Sequence, residues 1–160
     1  MIEIPNLKIA RKIKSIQSFR ESIKTISSGD RAGICVQTID STQIERELIC
    51  SSSTPIPKAS VLLLCAKKVK LYKDELKSKS KLHISILNES LLCKQLIFVK
   101  KTQYGYEYLE GCVAELTEEF KVIVELDRPV NVLPSAIVIG SKLDSDISLN
   151  KCRIAFHGVM

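Results

Sequence analysis

The sequence predicts an all-β protein made of two consecutive small β-barrels, the first truncated at its N-terminus. Three observations carry this reading. The chain is 45% hydrophobic with only 5% aromatic residues and no Trp, so its core must be built from Ile, Leu and Val, which favour strands. Several segments alternate apolar and polar residues with a period of two, the pattern of a half-buried strand. A serine- and proline-rich stretch, "CSSSTPIPK" at residues 50–58, interrupts that pattern once. Each proline there removes a ladder donor and pushes its neighbour toward extended geometry. At 160 residues the chain suits one domain or two small ones. The expected units are residues 1–53 and 54–160.

In the first unit, "IEI" begins mid-pattern at the terminus. Next, "LKIARKIKSIQSF" spaces Ile9, Ile13 and Ile16 at helical intervals, and local reasoning alone supports a short helix there. "STQIERE" suits one helical turn. In "GDRAGICVQ", Gly29 and Asp30 suit a tight turn feeding a strand, and Gly33 suggests a bulge or a close backbone approach. This unit holds about four strands, fewer than a small barrel commonly uses, and an unclosed sheet leaves pairing edges.

The second unit is richer in strands. "KLHISILN" puts Leu82, Ile84 and Ile86 on one face, and "FKVIVEL" does the same for Val122, Val124 and Leu126. "KCRIAFHG" sets Cys152, Ile154 and Phe156 against Lys151, Arg153, Ala155 and His157. The continuous apolar runs "ASVLLLC" and "SAIVIG" suggest strands buried on both faces. "KKTQYGYEYLEG" reads as a loop or an irregular hairpin. There is no internal repeat.

Several chemistries are excluded by spacing. A Walker phosphate loop requires G-x-x-x-x-G-K-[ST], and neither "GDRAGICV" nor any other glycine supplies one. Six cysteines lie far apart with no C-x-x-C pair, and the two histidines are equally dispersed, so no metal site is expected. The cysteines read as small buried hydrophobes. A thiol enzyme needs a base or an electropositive niche beside its cysteine, and no residue pattern provides one; the chain is not expected to be an enzyme. No apolar run approaches the roughly 20 residues of a membrane span. The N-terminus lacks a signal-peptide core, so a cytoplasmic location is expected.

The charge pattern is more informative. The formal net charge is +6, which suits a polyanionic partner. Residues 67–81 carry seven lysines against two acids, and residues 8–24 carry Lys8, Arg11, Lys12, Lys14, Arg20 and Lys24 against Glu21. Lys151, Arg153 and His157 form a third patch. Such clusters supply phosphate attraction, or simply protect a sheet edge from association.

The order of these pieces resembles the translation elongation factor superfamily, in which a GTPase domain precedes two β-barrels. Within it the likeness is to eukaryotic selenocysteine-specific elongation factors. "IEIPNLKIARKIKSIQSF" and "GDRAGICVQTIDSTQIERELIC" resemble stretches of that family's second domain. "VELDRPVNVLPSAIVIGSKLDSDISLNKCRIAFHG" resembles its third. The resemblance implies barrels two and three, with bulged strands rather than a helix at residues 8–19. It implies that the GTPase domain, the opening hairpin of barrel two and a C-terminal domain lie outside this chain, as do GTP and Mg. It implies selenocysteyl-tRNA and the ribosome as partners. The family's second barrel helps form the aminoacyl pocket, and its third contacts the acceptor and T arms. By motif match Arg46, in "ERE", falls where the family has an arginine near the aminoacyl group; the family then has glycine where this chain has Glu47. With Arg46 from this match and the others from the basic clusters, the expected tRNA-binding set is Arg46, Lys79, Lys81, Lys151, Arg153 and His157. The alternative is a non-catalytic β-barrel module that binds protein and carries lysines for solubility.

Overall fold

The N-terminal isoleucines that suit a helix locally lie on strands. This is seen in a computed structural model that describes residues 1–40, 42, 44–113, 116, 120–144 and 151–160. The chain divides into two units, Met1–Ile56 and Pro57–Met160, and the division falls inside the serine- and proline-rich stretch.

Unit 1 contains β1 (Ile2–Ile4), β2 (Ile9–Arg11), β3 (Ile13–Ser18), β4 (Glu21–Ile23), β5 (Gly33–Val36) and β6 (Cys50–Ser51). They form two three-stranded antiparallel sheets, β2-β1-β6 and β4-β3-β5. A register shift between Ile13 and Ser15 marks a bulge in β3 against β5. It leaves Ile13 opposite Val36 and Ile16 opposite Ile34. A bulge inserts one residue and so returns side chains three apart to a common face. The three-residue spacing that imitates a helix is therefore a bulged strand. Phe19 and Arg20 join β3 to β4 with φ of 50° and 71°, the left-handed pair that a two-residue hairpin turn requires. Gly29 has φ 94° and sits in a turn closed by the Asp30 N–H donating to Ser27 O and the Ser27 N–H to Asp30 Oδ2. Gly33 is not a close approach, since a Cβ there would stand 3.9 Å from Gln17 O, an ordinary contact. The expected turn at "STQIERE" lies partly outside the described residues, at 41 and 43.

Unit 2 contains β7 (Lys58–Lys68), β8 (Leu76–Lys77), β9 (His83–Ile86), β10 (Glu89–Thr102), β11 (Gly105–Leu109), β12 (Cys112–Val113), β13 (Phe120–Asn131), β14 (Ile137–Ser141) and β15 (Ile154–Val159). The order β10-β13-β7-β15-β14-β9 returns to β10 and closes a six-stranded antiparallel barrel. No α-helix occurs among the described residues. β11 folds back on β10 as a regular hairpin, with Thr102 opposite Gly105.

The interior is aliphatic, as the composition requires. Leu62, Leu64, Ile84, Ile86, Leu96, Phe98, Val122, Val124, Val138 and Phe156 are fully buried within it. β9 and β13 follow the expected alternation. β7 and β14 do not match the two-sided burial expected of them. Leu62, Leu64 and Val138 point inward, while Val61 is 56% exposed, Leu63 51% and Ile137 62%. A barrel wall has one core face, so continuous apolar runs here leave every second residue outside. β15 departs differently. Its pairing with β14 shifts between Gly140 and Ser141, which face Phe156 and Ile154. The bulge turns Ala155 inward beside Phe156 and leaves Ile154 outside, reversing the expected faces of these two residues. Gly140 completes this corner: a Cβ there would stand 2.3 Å from the Phe156 ring.

Candidate nucleic-acid interface

The lysine-rich stretch between β7 and β9 is held to the barrel by buried anchors. Tyr72 and Leu76 are buried and Val69 half-buried, while the lysines between them, apart from half-buried Lys68, are exposed. The Val69 N–H donates to Ala155 O and the Tyr72 N–H to Val69 O, both at 3.0 Å. Lys68 Nζ stands 6.0 Å from the centre of the Tyr72 ring, within reach of a cation–π attraction. Burial, and then the neighbouring Asp74 charge, raise the Tyr72 phenol above its ordinary value. β8 pairs with β12. Further on, Ser78 Oγ donates to Leu109 O at 2.7 Å and accepts the Phe98 N–H, and the Lys79 N–H donates to Leu96 O. These bonds lay residues 78–82 along β10 and present Lys79 and Lys81 outward.

Strand register then gathers several cations at one barrel end. His83 at the start of β9 pairs with Ser141 at the end of β14, which pairs with Ile154 at the start of β15. The ladder continues with the Lys142 N–H donating to Arg153 O at 2.8 Å. Lys81, Lys142 and Arg153 thus lie at the same end of three neighbouring strands. Arg153 Nη1 donates to Leu143 O at 3.2 Å, which fixes its guanidinium near the β14 terminus. Lys142 Nζ lies 3.7 Å from Asp74 Oδ2, tying the lysine-rich stretch to this end through a half-exposed ion pair, a weak contact by itself.

Not every expected site residue joins this group. Lys151 and Arg153 precede β15 rather than sharing a strand face with His157, because the strand begins at Ile154. His157 projects from the barrel wall, opposite Lys67. Lys79 lies further round, beside β10. Arg46 belongs to unit 1, where it is exposed and engaged in an interaction of its own. Its neighbour Glu47 is half-buried and accepts a hydrogen bond from Asn6 Nδ2 at 3.1 Å. Earlier in the chain, the Asp40 carboxyl accepts bonds from the Thr42 hydroxyl and N–H and is held below its usual range by them.

Sequence reasoning missed Lys142, an isolated lysine that only the β14–β15 register brings to Arg153. It also missed Tyr106 and Tyr108, exposed on the β10–β11 hairpin, where Tyr106 stands opposite Lys101, with Tyr104 at its turn. The signal was present as tyrosine at every second position in "YGYEY". Exposed aromatics among lysines form a surface on which bases can stack. The expectation that all cysteines are buried is also corrected: Cys93 is buried, whereas Cys35 and Cys65 are exposed. Outward positions on β5 and β7 account for the difference.

Residues 103–158 match the family model described as the third domain of the eukaryotic selenocysteine-specific elongation factor. The matched residues all lie within unit 2. The selenocysteine-specific elongation factor of Mus musculus is 29% identical over 197 aligned positions, covering 99% of this chain and 34% of the relative. The chain thus spans about a third of the length of that relative. Among solved structures, elongation factor SelB from Methanococcus maripaludis superimposes with a TM-score of 0.81 in its apo form and 0.83 with the GTP analogue GppNHp. Each is 24% identical and covers 99% of this chain and 35% of that protein. Sup35 in complex with GDP has a TM-score of 0.65 at 13% identity, covering 99% of this chain and 39% of that protein. This chain shares the β-barrel fold of these structures.

Proposed function

We propose that this chain is the tRNA-binding β-barrel portion of a selenocysteine-specific elongation factor, acting in the cytoplasm to deliver selenocysteyl-tRNA to the ribosome at UGA codons. The observation that carries the reading is the convergence of Lys81, Lys142 and Arg153 at one end of a barrel of third-domain type. Lysines and arginines ordered on a rigid barrel end attract phosphates without base specificity, as contact with an acceptor or T arm requires. Lys151, just before β15, Lys79 beside β10 and His157 on the barrel wall are proposed as further, separate phosphate contacts. In unit 1, Arg46 is the proposed partner of the aminoacyl end. A selenolate is anionic at neutral pH and a serine hydroxyl is not, so a guanidinium discriminates between them by charge. The Glu47–Asn6 hydrogen bond directs the neighbouring carboxylate back onto unit 1.

GTP and Mg, which the family implies, do not fit the residues of this chain. It has no Gly-rich loop ending in Lys-Ser or Lys-Thr, and among the described residues no group of acidic, His or Cys side chains forms a cation site. No hydrolytic step is therefore assigned to it. GTP-dependent delivery belongs to a GTPase domain acting with these barrels, alongside a C-terminal domain.

The test is salt-titrated binding of selenocysteyl-tRNA, seryl-tRNA and a duplex-DNA control. The expected result is tRNA binding whose affinity falls with salt, and less steeply after Lys81→Glu or Arg153→Glu. Equal indifference to all three nucleic acids would favour the second reading, a protein-binding module. That reading draws on the apolar outer face of Val61, Leu63 and Ile137.

A further inference from the structure

Cys65 and Lys121 face one another across neighbouring strands on the outer wall of unit 2. The register of β7 and β13 pairs Leu64 with Val122, so the next residues stand side by side. Lys121 Nζ lies 2.8 Å from Cys65 Sγ. On its other flank Cys65 pairs with Val159 of β15, and Lys67 follows two residues later on the same outer face. The thiol is exposed at a groove of about 420 Å³, whose walls include the apolar side chains of Leu116, Phe120 and Val159. A nucleophilic sulfur, a second nucleophile in contact with it and an apolar trough thus meet at one place.

We propose that this pair is an acylation site, at which a thioester of the acyl-coenzyme A class modifies Lys121 by way of Cys65. The Cys65 sulfur, as its thiolate, attacks the thioester carbonyl carbon. The new C–S bond forms as the bond to coenzyme A breaks. The departing coenzyme thiolate takes a proton from the Lys121 ammonium, leaving a neutral amine against the S-acyl cysteine. That amine attacks the same carbonyl, the C–N bond forms, and the bond to Cys65 breaks. The remaining amine proton goes to the Cys65 sulfur, restoring the thiol. One thioester is consumed, one amide and one free coenzyme thiol are made, and nothing is oxidised. Direct contact makes the second step intramolecular, and such placement multiplies effective concentration by orders of magnitude. The product carries one positive charge fewer on this wall. Lys94, whose ammonium lies 2.7 Å from Glu125 Oε1, is the reference lysine away from the Cys65 thiol.

The experiment is incubation of the full chain with acetyl-coenzyme A, with site occupancy followed by peptide mass spectrometry. Lys121 is expected to acetylate at least ~10-fold faster than Lys94 or Lys101, and Cys65→Ser should reduce it to their level. Lys121→Arg should trap a hydroxylamine-labile acyl group on Cys65. Both side chains project from the outer wall, and circular dichroism of each variant is the check that its fold is retained. A Lys121 rate unchanged in Cys65→Ser, or no faster than that of Lys94, overturns the proposal. The outcome does not depend on whether the chain binds tRNA.

Discussion

The two units draw on the same aliphatic residues and use them differently. Unit 2 returns its sheet to its first strand, so every inward position is covered by the opposite wall, and Leu64, Phe98, Val122 and Phe156 lose all contact with solvent. In unit 1 two three-stranded sheets keep their outer edges. Ile4 is its only fully buried aliphatic side chain among the described residues, and Ile13, Ile16, Ile23 and Ile34 remain half-buried. Burial, and so the hydrophobic contribution to stability, follows sheet closure more closely than it follows composition.

The sharpest way to break that comparison is truncation of matched side chains. Ile84→Ala should cost unit 2 about 2–5 kcal/mol, from lost transfer energy and a cavity, while Ile16→Ala should cost unit 1 about 1 kcal/mol or less, since less surface is buried. Chemical denaturation of the full chain measures both, and equal losses would refute the contrast. Gly140→Ala should destabilise unit 2 by about 1–3 kcal/mol through overpacking against Phe156, read as a lowered unfolding midpoint. A pH series sharpens the comparison further. Burial first, and then the Glu125 charge, raise the Cys93 thiol from 9.0 to about 11. Its folded-state value lies above its unfolded one. The associated stability is therefore complete below about pH 9 and lost as pH rises toward 11. Unit 2 should weaken across that window, and Cys93→Ala should reduce the dependence, leaving the part contributed by the raised Tyr72 phenol. The smallest effect belongs to the basic end of the barrel. Arg153→Glu should lower the slope of log affinity against log salt for tRNA by roughly 1 with little change in stability.

Closure also decided what was legible in the sequence. The polar residues of β9 and β13 mark their outer faces, so alternation identified Ile84, Ile86, Val122 and Val124 directly. β7 and β14 carry apolar residues on both faces, which hides the outer one from any pattern argument. In β3 and β15 a bulge changes the phase of the pleat, and no local feature of "KIKSIQ" or "CRIAFH" announces the extra residue. The cations divide in the same way. Lys79 and Lys81 stand out within a lysine-rich stretch, whereas Lys142 gains its place beside Arg153 only from long-range register.

The pairing of β7 with β15 has a kinetic consequence. It joins the first long strand of unit 2 to the last, with Cys65 opposite Val159, whereas β9–β10 and β10–β11 are hairpins between sequence neighbours. Pairing between distant segments pays its loop-closure entropy before any contact repays it, and so forms late. During synthesis the hairpins can assemble as they emerge. The edges of β7 and β14 must wait for Ile154–Val159, and until then they are open to pairing with other chains.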